Sequence, residues 1–365
     1  MKKHINIAFF CVFLFCLLFI MGCNSTKPTE VAKTELELIK NWNEDTISSL
    51  ISYENLFHSH GENDSIDDKA AKAIELFFSN FDYHILSSTA TSRTATVTAE
   101  ITNIDTKTLA RDLCLELIKQ SIDIHDTTDK VSSPDSYFAF LGDFLTTNEY
   151  SLVSTQVVFE LVNNDGVWTI NNTETLENEL VGGFISYLND PYLVLPEEIL
   201  AIAFDSFLQN TAEDWVNYLQ MDDIFSTYSE SANKVDIALA KQITSCFSYQ
   251  IKNTAITDNS ATTEVTITSL DMNDIFENYL SELLAYAATT EAVRASDVEL
   301  ADKTAELLIA VLDNNKETSS QTLEISFINN GSTWEMKLDE HFTNALLGDM
   351  NTAIENFQQN STKTD

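Results

Sequence analysis

Two stretches 166 residues apart decide the fold: Phe81-Asp82-Tyr83-His84-Ile85 and Phe247-Ser248-Tyr249-Gln250-Ile251. Reading outward from them, the register holds without a gap. Ala95-Thr96 falls on Ala261-Thr262, and Ile101-Thr102-Asn103-Ile104-Asp105 falls on Ile267-Thr268-Ser269-Leu270-Asp271. Further on, Asn163-Asn164 meets Asn329-Asn330, Trp168 meets Trp334, and Gly182 meets Gly348. One register kept over so long a stretch, with matching tryptophans, predicts a tandem duplication.

Each copy reads alike. Phe81, Tyr83 and Ile85 share one face of a strand, and Ala95, Val97, Ala99 and Ile101 alternate with Thr and Glu. That period of two is a half-buried strand. Asp105 stops it as an N-cap, and Leu109, Leu113 and Leu117 then mark one helix face. Val157, Phe159 and Leu161 alternate up to Asn164-Asp165-Gly166, a hairpin turn signal; Asn330-Gly331 serves the second copy. Thr173 and Asp339 are positioned to cap a closing helix. Further helices are expected at 29–42, 45–57, 68–80, 135–146, 196–209, 212–227, 271–287 and 297–313. The fold class is therefore α+β: two tandem modules, each an antiparallel sheet of two β-hairpins packed with helices.

The N-terminus reads as an address. Lys2 and Lys3 precede an apolar run, Ile5–Met21, which ends Ile20-Met21-Gly22-Cys23. This resembles the bacterial lipobox, which implies cleavage before Cys23, a diacylglycerol thioether on it and acylation of the new amine. The expected organisation is a signal peptide (1–22), a lipidated tether (23–33), modules at 34–190 and 196–358, and a polar tail (359–365). The expected location is the extracytoplasmic face of the cell membrane.

The opening helix pair, the strand ending Ile-Thr-x-x-Asp and the late Asn-x-Gly-x-Trp hairpin resemble surface lipoproteins of low-GC Gram-positive bacteria. Their modules are grouped with the nuclear transport factor 2-like, or cystatin-like, superfamily. The resemblance implies a fold and no fixed activity, since such modules serve as cavity enzymes, ligand binders and interaction domains.

The 365 residues carry 57 Asp+Glu against 20 Lys+Arg, a formal charge of −37. A chain so acidic has no basic face for phosphates, so nucleic acid is excluded as a partner. With 8 Gly and 4 Pro, Gly-rich phosphate loops are also disfavoured. Once Cys11 and Cys16 leave with the signal and Cys23 is acylated, Cys114 and Cys246 remain, as buried thiols or a single bridge.

Chemistry is sparse. His58 and His60, with Glu62, Asp64, Asp67 and Asp68, could offer metal ligands, but their spacing matches no closed zinc pattern and the segment reads as a polar loop. The corresponding loop of the second copy, with Glu230, Asn233 and Asp236, has no histidine. His84 points away from Tyr83 on its strand, and His125 and His341 stand alone. No catalytic motif, cofactor site or metal site emerges. Tyr83, Trp168, Tyr249 and Trp334 are the aromatic candidates for lining a ligand pocket, the alternative being that they are core. The expected role is non-enzymatic binding or interaction at the cell envelope, with an envelope protein or small ligand as partner. The rivals are a cavity hydrolase or isomerase using one module, and a transporter's substrate-binding component.

Overall fold

The structure is a computed structural model that describes residues 27–41, 68–122, 134–220, 230–331 and 333–362. It separates into two compact units between Val194 and Leu195.

The first unit runs α1 (Pro28–Lys40), α2 (Asp68–Phe78), β1 (Asp82–Ala90), β2 (Thr94–Ile104), α3 (Thr106–Ile122), α4 (Pro134–Thr147), β3 (Leu152–Asn164), β4 (Val167–Ile170), α5 (Glu174–Leu180) and α6 (Phe184–Leu188). Its strands form one antiparallel meander in the order β1-β2-β3-β4. The two expected hairpins therefore belong to a single sheet, because β2 and β3 pair along their length after the chain returns from α3 and α4.

The alternation read in the sequence is what closes the core. Val97, Ala99 and Ile101 of β2 and Val157, Phe159 and Leu161 of β3 are buried with Val31, Leu36 and Ile39 of α1 and Leu109 and Leu113 of α3. Each of these side chains larger than alanine stabilises by about 1.5–3 kcal/mol when fully buried.

The second unit runs α7 (Pro196–Phe207), α8 (Ala212–Leu219), α9 (Glu230–Cys246), β5 (Ser248–Thr257), β6 (Ser260–Leu270), α10 (Met272–Ala287), α11 (Thr290–Arg294), α12 (Asp297–Asn314), β7 (Thr318–Asn329), β8 (Trp334–Lys337), α13 (Glu340–Leu346) and α14 (Met350–Thr362). Its sheet has the order β5-β6-β7-β8. The pairings repeat those of the first unit at the offset of 166. Tyr83 faces Ile101 and Tyr249 faces Ile267; Thr94 faces Val162 and Ser260 faces Ile328; Asn163 faces Trp168 and Asn329 faces Trp334. Even the bulge on the first strand recurs, after Ile85 and after Ile251.

The ends of the elements repeat too. Thr173 Oγ1 accepts from the Leu176 amide at 3.1 Å, and Asp339 Oδ1 from the His341 amide at 3.0 Å, capping α5 and α13 as expected. Asp165 and Gly166 both have positive φ, 53° and 90°, the signature of the primed hairpin turn. After each closing helix the chain passes through two consecutive left-handed residues, Gly182-Gly183 and Gly348-Asp349. There the closing helix is tied to the end of the second strand. Asn103 Nδ2 donates to the Leu180 carbonyl at 3.3 Å, and Ser269 Oγ to the Leu346 carbonyl at 2.6 Å.

Four expectations need correction. Residues Glu230, Asn233 and Asp236 are not in a loop; they begin α9, whose Val235, Leu239 and Ile243 recur every four residues and are buried. The tether does not reach residue 33: α1 starts at Pro28, the favoured first helical residue, and Val31 and Ala32 are buried. The helix expected at 212–227 stops at Leu219, where Gln220 turns left-handed. The polar tail is helical through Thr362, as part of α14. Cys23, the helix expected at 45–57, His58, His60, Glu62, Asp64, Asp67 and His125 lie outside the described residues.

Candidate functional site

The four aromatic candidates divide into two kinds. Trp168 and Trp334 lie in the short last strands, second in β4 and first in β8, and face inward at 9% and 3% exposure. Both sit opposite an asparagine, Asn163 or Asn329, whose side-chain oxygen accepts from the turn glycine, Gly166 or Gly331, at 2.8 Å. The tryptophan thus closes the core behind a fixed turn.

Tyr83 and Tyr249 are half-buried at the start of the first strands, and their hydroxyls reach a carboxylate on the opening helix. Tyr83 Oη donates to Glu37 Oε1 at 2.6 Å, and Tyr249 Oη donates to Asp205 Oδ1 at 2.6 Å. The two contacts are equivalent, although neither carboxylate was picked out in the sequence. The signal was present: α1 and α7 both start with proline, and Glu37 and Asp205 stand at the same distance from it. The helices are, however, two residues out of the register that the strands keep.

In the first unit the contact is elaborated. Asn41 Nδ2 donates to Glu37 Oε2 at 2.9 Å, Lys40 Nζ bonds Asp82 Oδ1 at 2.7 Å, and Lys40 lies 5.9 Å from the Tyr83 ring. In the second unit Leu208 and Ser248 occupy the corresponding places, and an aromatic cluster replaces the ion pair. Phe204 packs edge-on to Tyr249 at 5.2 Å and stacks on Phe342 at 5.5 Å.

The electrostatics of the tyrosine pairs decide their chemistry. The Tyr83 hydrogen bond holds the Glu37 carboxyl below its usual range, with help from Asn41 and the nearby lysines. Burial first, and then the Glu37 carboxylate, push the Tyr83 phenol up; burial and Asp205 do the same to Tyr249. An acid–base catalyst needs its groups brought toward neutrality. In the Tyr83–Glu37 pair the acid is weakened and the base is weakened, so the proton stays on the tyrosine and the pair works as a latch between helix and strand; the Tyr249–Asp205 hydrogen bond makes the same link in the second unit.

Other ionisable groups stand apart from these latches. Burial lifts the Glu35 carboxyl on α1 to about 7 and the Cys114 thiol on α3 to about 11. Cys114 and Cys246 are free. His84 and His341 are exposed. Among the described residues no group of three or more His, Cys, Asp or Glu could hold a metal ion, and no helix is long and apolar enough to cross a membrane.

An open groove of about 410 Å³ lies among α10, α11 and α12, lined by Leu283, Leu284, Tyr286, Ala292, Val293 and Leu300. None of the four aromatic candidates lines it.

No family model and no curated protein matches the chain. A solved structure described as a "putative lipoprotein (ycdA)" from Bacillus subtilis subsp. subtilis str. 168 is 12% identical. It covers 73% of this chain and 93% of its own, with a TM-score of 0.28, a likeness too slight to fix fold or function.

Proposed function

We propose that this chain is a lipid-anchored extracytoplasmic protein, built from two copies of one duplicated module, which acts by binding or interaction rather than by catalysis. The observation that carries the reading is the run Ile5–Met21 closed by Ile20-Met21-Gly22-Cys23 behind Lys2 and Lys3. Thioether and amide acylation together provide several chains, and at about 0.8 kcal/mol per buried methylene these anchor where one would not. The modules' kinship to the nuclear transport factor 2-like, or cystatin-like, superfamily is part of the same proposal and rests on the sequence resemblance alone.

Two features support interaction over a cavity enzyme. The inner sheet face of the first unit is occupied by core side chains, and its tyrosine–carboxylate pair, Tyr83–Glu37, is tuned away from proton transfer. The strongly acidic charge favours a partner that is not anionic.

The test is metabolic labelling with a fatty-acid analogue. Wild type should take up label in the membrane fraction, and Cys23→Ser should lose the label and accumulate as precursor or be released. Label persisting on the Cys23→Ser chain would overturn the lipoprotein reading.

A further inference from the structure

The strand β3 is 13 residues long, and β4 covers only its last four, Leu161–Asn164. Upstream of them the strand has β2 on one side and an open edge on the other. Residues Leu152 through Gln156 are exposed in succession, so both faces are uncovered as well as the edge. The stretch 152–159, Leu-Val-Ser-Thr-Gln-Val-Val-Phe, contains no charge and no proline, in a chain of net charge −37. Long, uncharged, unpaired edges are what natural sheets normally avoid, because they are templates for another strand.

The backbone phase of that edge is fixed. The Asn171 amide donates to the Glu160 carbonyl at 2.7 Å on the β4 side, whereas the Asn163 amide donates to Arg93 at 2.8 Å on the β2 side. Even-numbered residues therefore turn their N–H and C=O groups outward. Among the described residues no backbone hydrogen bond reaches the outward side of Ser154, Gln156 or Val158.

We propose that this edge pairs with the same edge of a second copy of the chain, antiparallel about a two-fold axis at Thr155. That register sets Ser154 against Gln156 and Leu152 against Val158 as hydrogen-bonded pairs. It sets Val153 against Val157, and Thr155 against its own copy, as non-hydrogen-bonded pairs. Apolar residues meet apolar ones, polar residues meet polar ones, and no like charges face each other across the strands. Shifting the axis one residue, to Gln156, would set Leu152 against Glu160 and Ser154 against Val158. A two-fold contact also consumes the edge and closes, so it yields a dimer and not a fibre.

The second unit supplies an internal control. At the places of Leu152, Val153 and Val158 it carries Thr318, Ser319 and Glu324. Its inward residues Ser319, Gln321 and Leu323 are also half-covered. A glutamate on an otherwise open edge is a standard defence against pairing. The first unit's other edge, β1, is protected by its bulge after Ile85. The open part of β3 presents an apolar, uncharged edge eight residues long, 152–159, and the inference stands on that geometry rather than on the lipid anchor.

The experiment adds one cysteine at a time to the full-length chain, in a background with Cys114→Ala and Cys246→Ala, and oxidises intact expressing cells mildly. At a non-hydrogen-bonded antiparallel pair the Cα atoms lie about 4.5 Å apart, within disulfide reach. Thr155→Cys should convert most of the chain to a disulfide-linked dimer. Val153→Cys should give less than a tenth as much, since it meets Val157 and sits roughly 13 Å from its own copy. Val153→Cys co-expressed with Val157→Cys should restore the mixed cross-link. Adding Leu152→Thr, Val153→Ser and Val158→Glu to Thr155→Cys should abolish cross-linking without lowering the unfolding midpoint, because the second unit's fold accepts those residues.

A Thr155→Cys chain that stays monomeric while its thiol reacts with maleimide would overturn the proposal. So would equal cross-linking by Val153→Cys, or persistence in the triple variant. A cross-linked product of a size other than twice the chain would reassign the edge to a different partner.

Discussion

Gly182 and Gly348 hold equivalent places in the two units, yet alanine should be far more damaging at one of them. Both have left-handed φ, +63° and +66°, where a side chain costs roughly 1–2 kcal/mol. At Gly182 the added methyl would meet Thr106 Oγ1 at 3.0 Å. That atom belongs to a side chain which can rotate, giving up its bond to the Gly182 carbonyl at about 1 kcal/mol. The total for Gly182→Ala is about 2–3 kcal/mol. At Gly348 the methyl would overlap the Leu270 carbonyl oxygen, which is main chain at the end of β6. It cannot move without disturbing the neighbouring buried bond from Ser269 to the Leu346 carbonyl and the Met272 amide contact to Gly348. Breaking both adds about 2–3 kcal/mol before any loss of packing, so Gly348→Ala should cost about 4 kcal/mol or more. The assay is urea unfolding of the full chain, with hydrogen exchange of peptides from each unit to locate the loss. Equal costs at the two sites, or a cost at Gly348 below about 1.5 kcal/mol, would show that the end of β6 yields and that this steric reasoning is wrong.

Trp168→Ala and Trp334→Ala should each cost about 3–5 kcal/mol by opening a cavity behind the last strand, measured by calorimetry. Tyr83→Phe should let the Glu37 carboxyl rise toward its ordinary range, read by carbon-13 NMR titration, because its largest hydrogen bond is gone. Glu35 behaves in the opposite sense. Its folded carboxyl, at about 7, lies above the unfolded value of 4.5, so the folded state holds the extra proton between them. Stability should therefore fall as the pH rises from about 4.5 to about 7, and Glu35→Gln should remove that fall and unfold at a higher temperature at neutral pH.

The strands, the hairpin turn and the caps were legible because their signals are local. Period-two alternation, Asn-Asp-Gly and a capping Thr or Asp need only a few neighbouring residues to be read. The carboxylates that hold the tyrosines were not legible at the strand register. Glu37 and Asp205 align only after a two-residue slip, and their partners lie 46 and 44 positions away along the chain. The polar lead of α9 hid its buried stripe, and α11, at five residues, is too short to show a period. The open edge of β3 follows from how far β4 extends, which alternation does not reveal.

The start of α1 at Pro28 has a physical consequence for a chain acylated at Cys23. Only Asn24 through Lys27 separate lipid from fold, about 14 Å at full extension. The first unit would then ride directly above the bilayer, with its motion confined to a thin layer. Chains held in such a layer encounter one another at an effective concentration set by surface density rather than by volume. A strand pairing too weak to persist in dilute solution would be populated there, and the amount of protein per area of membrane would control how much of it forms.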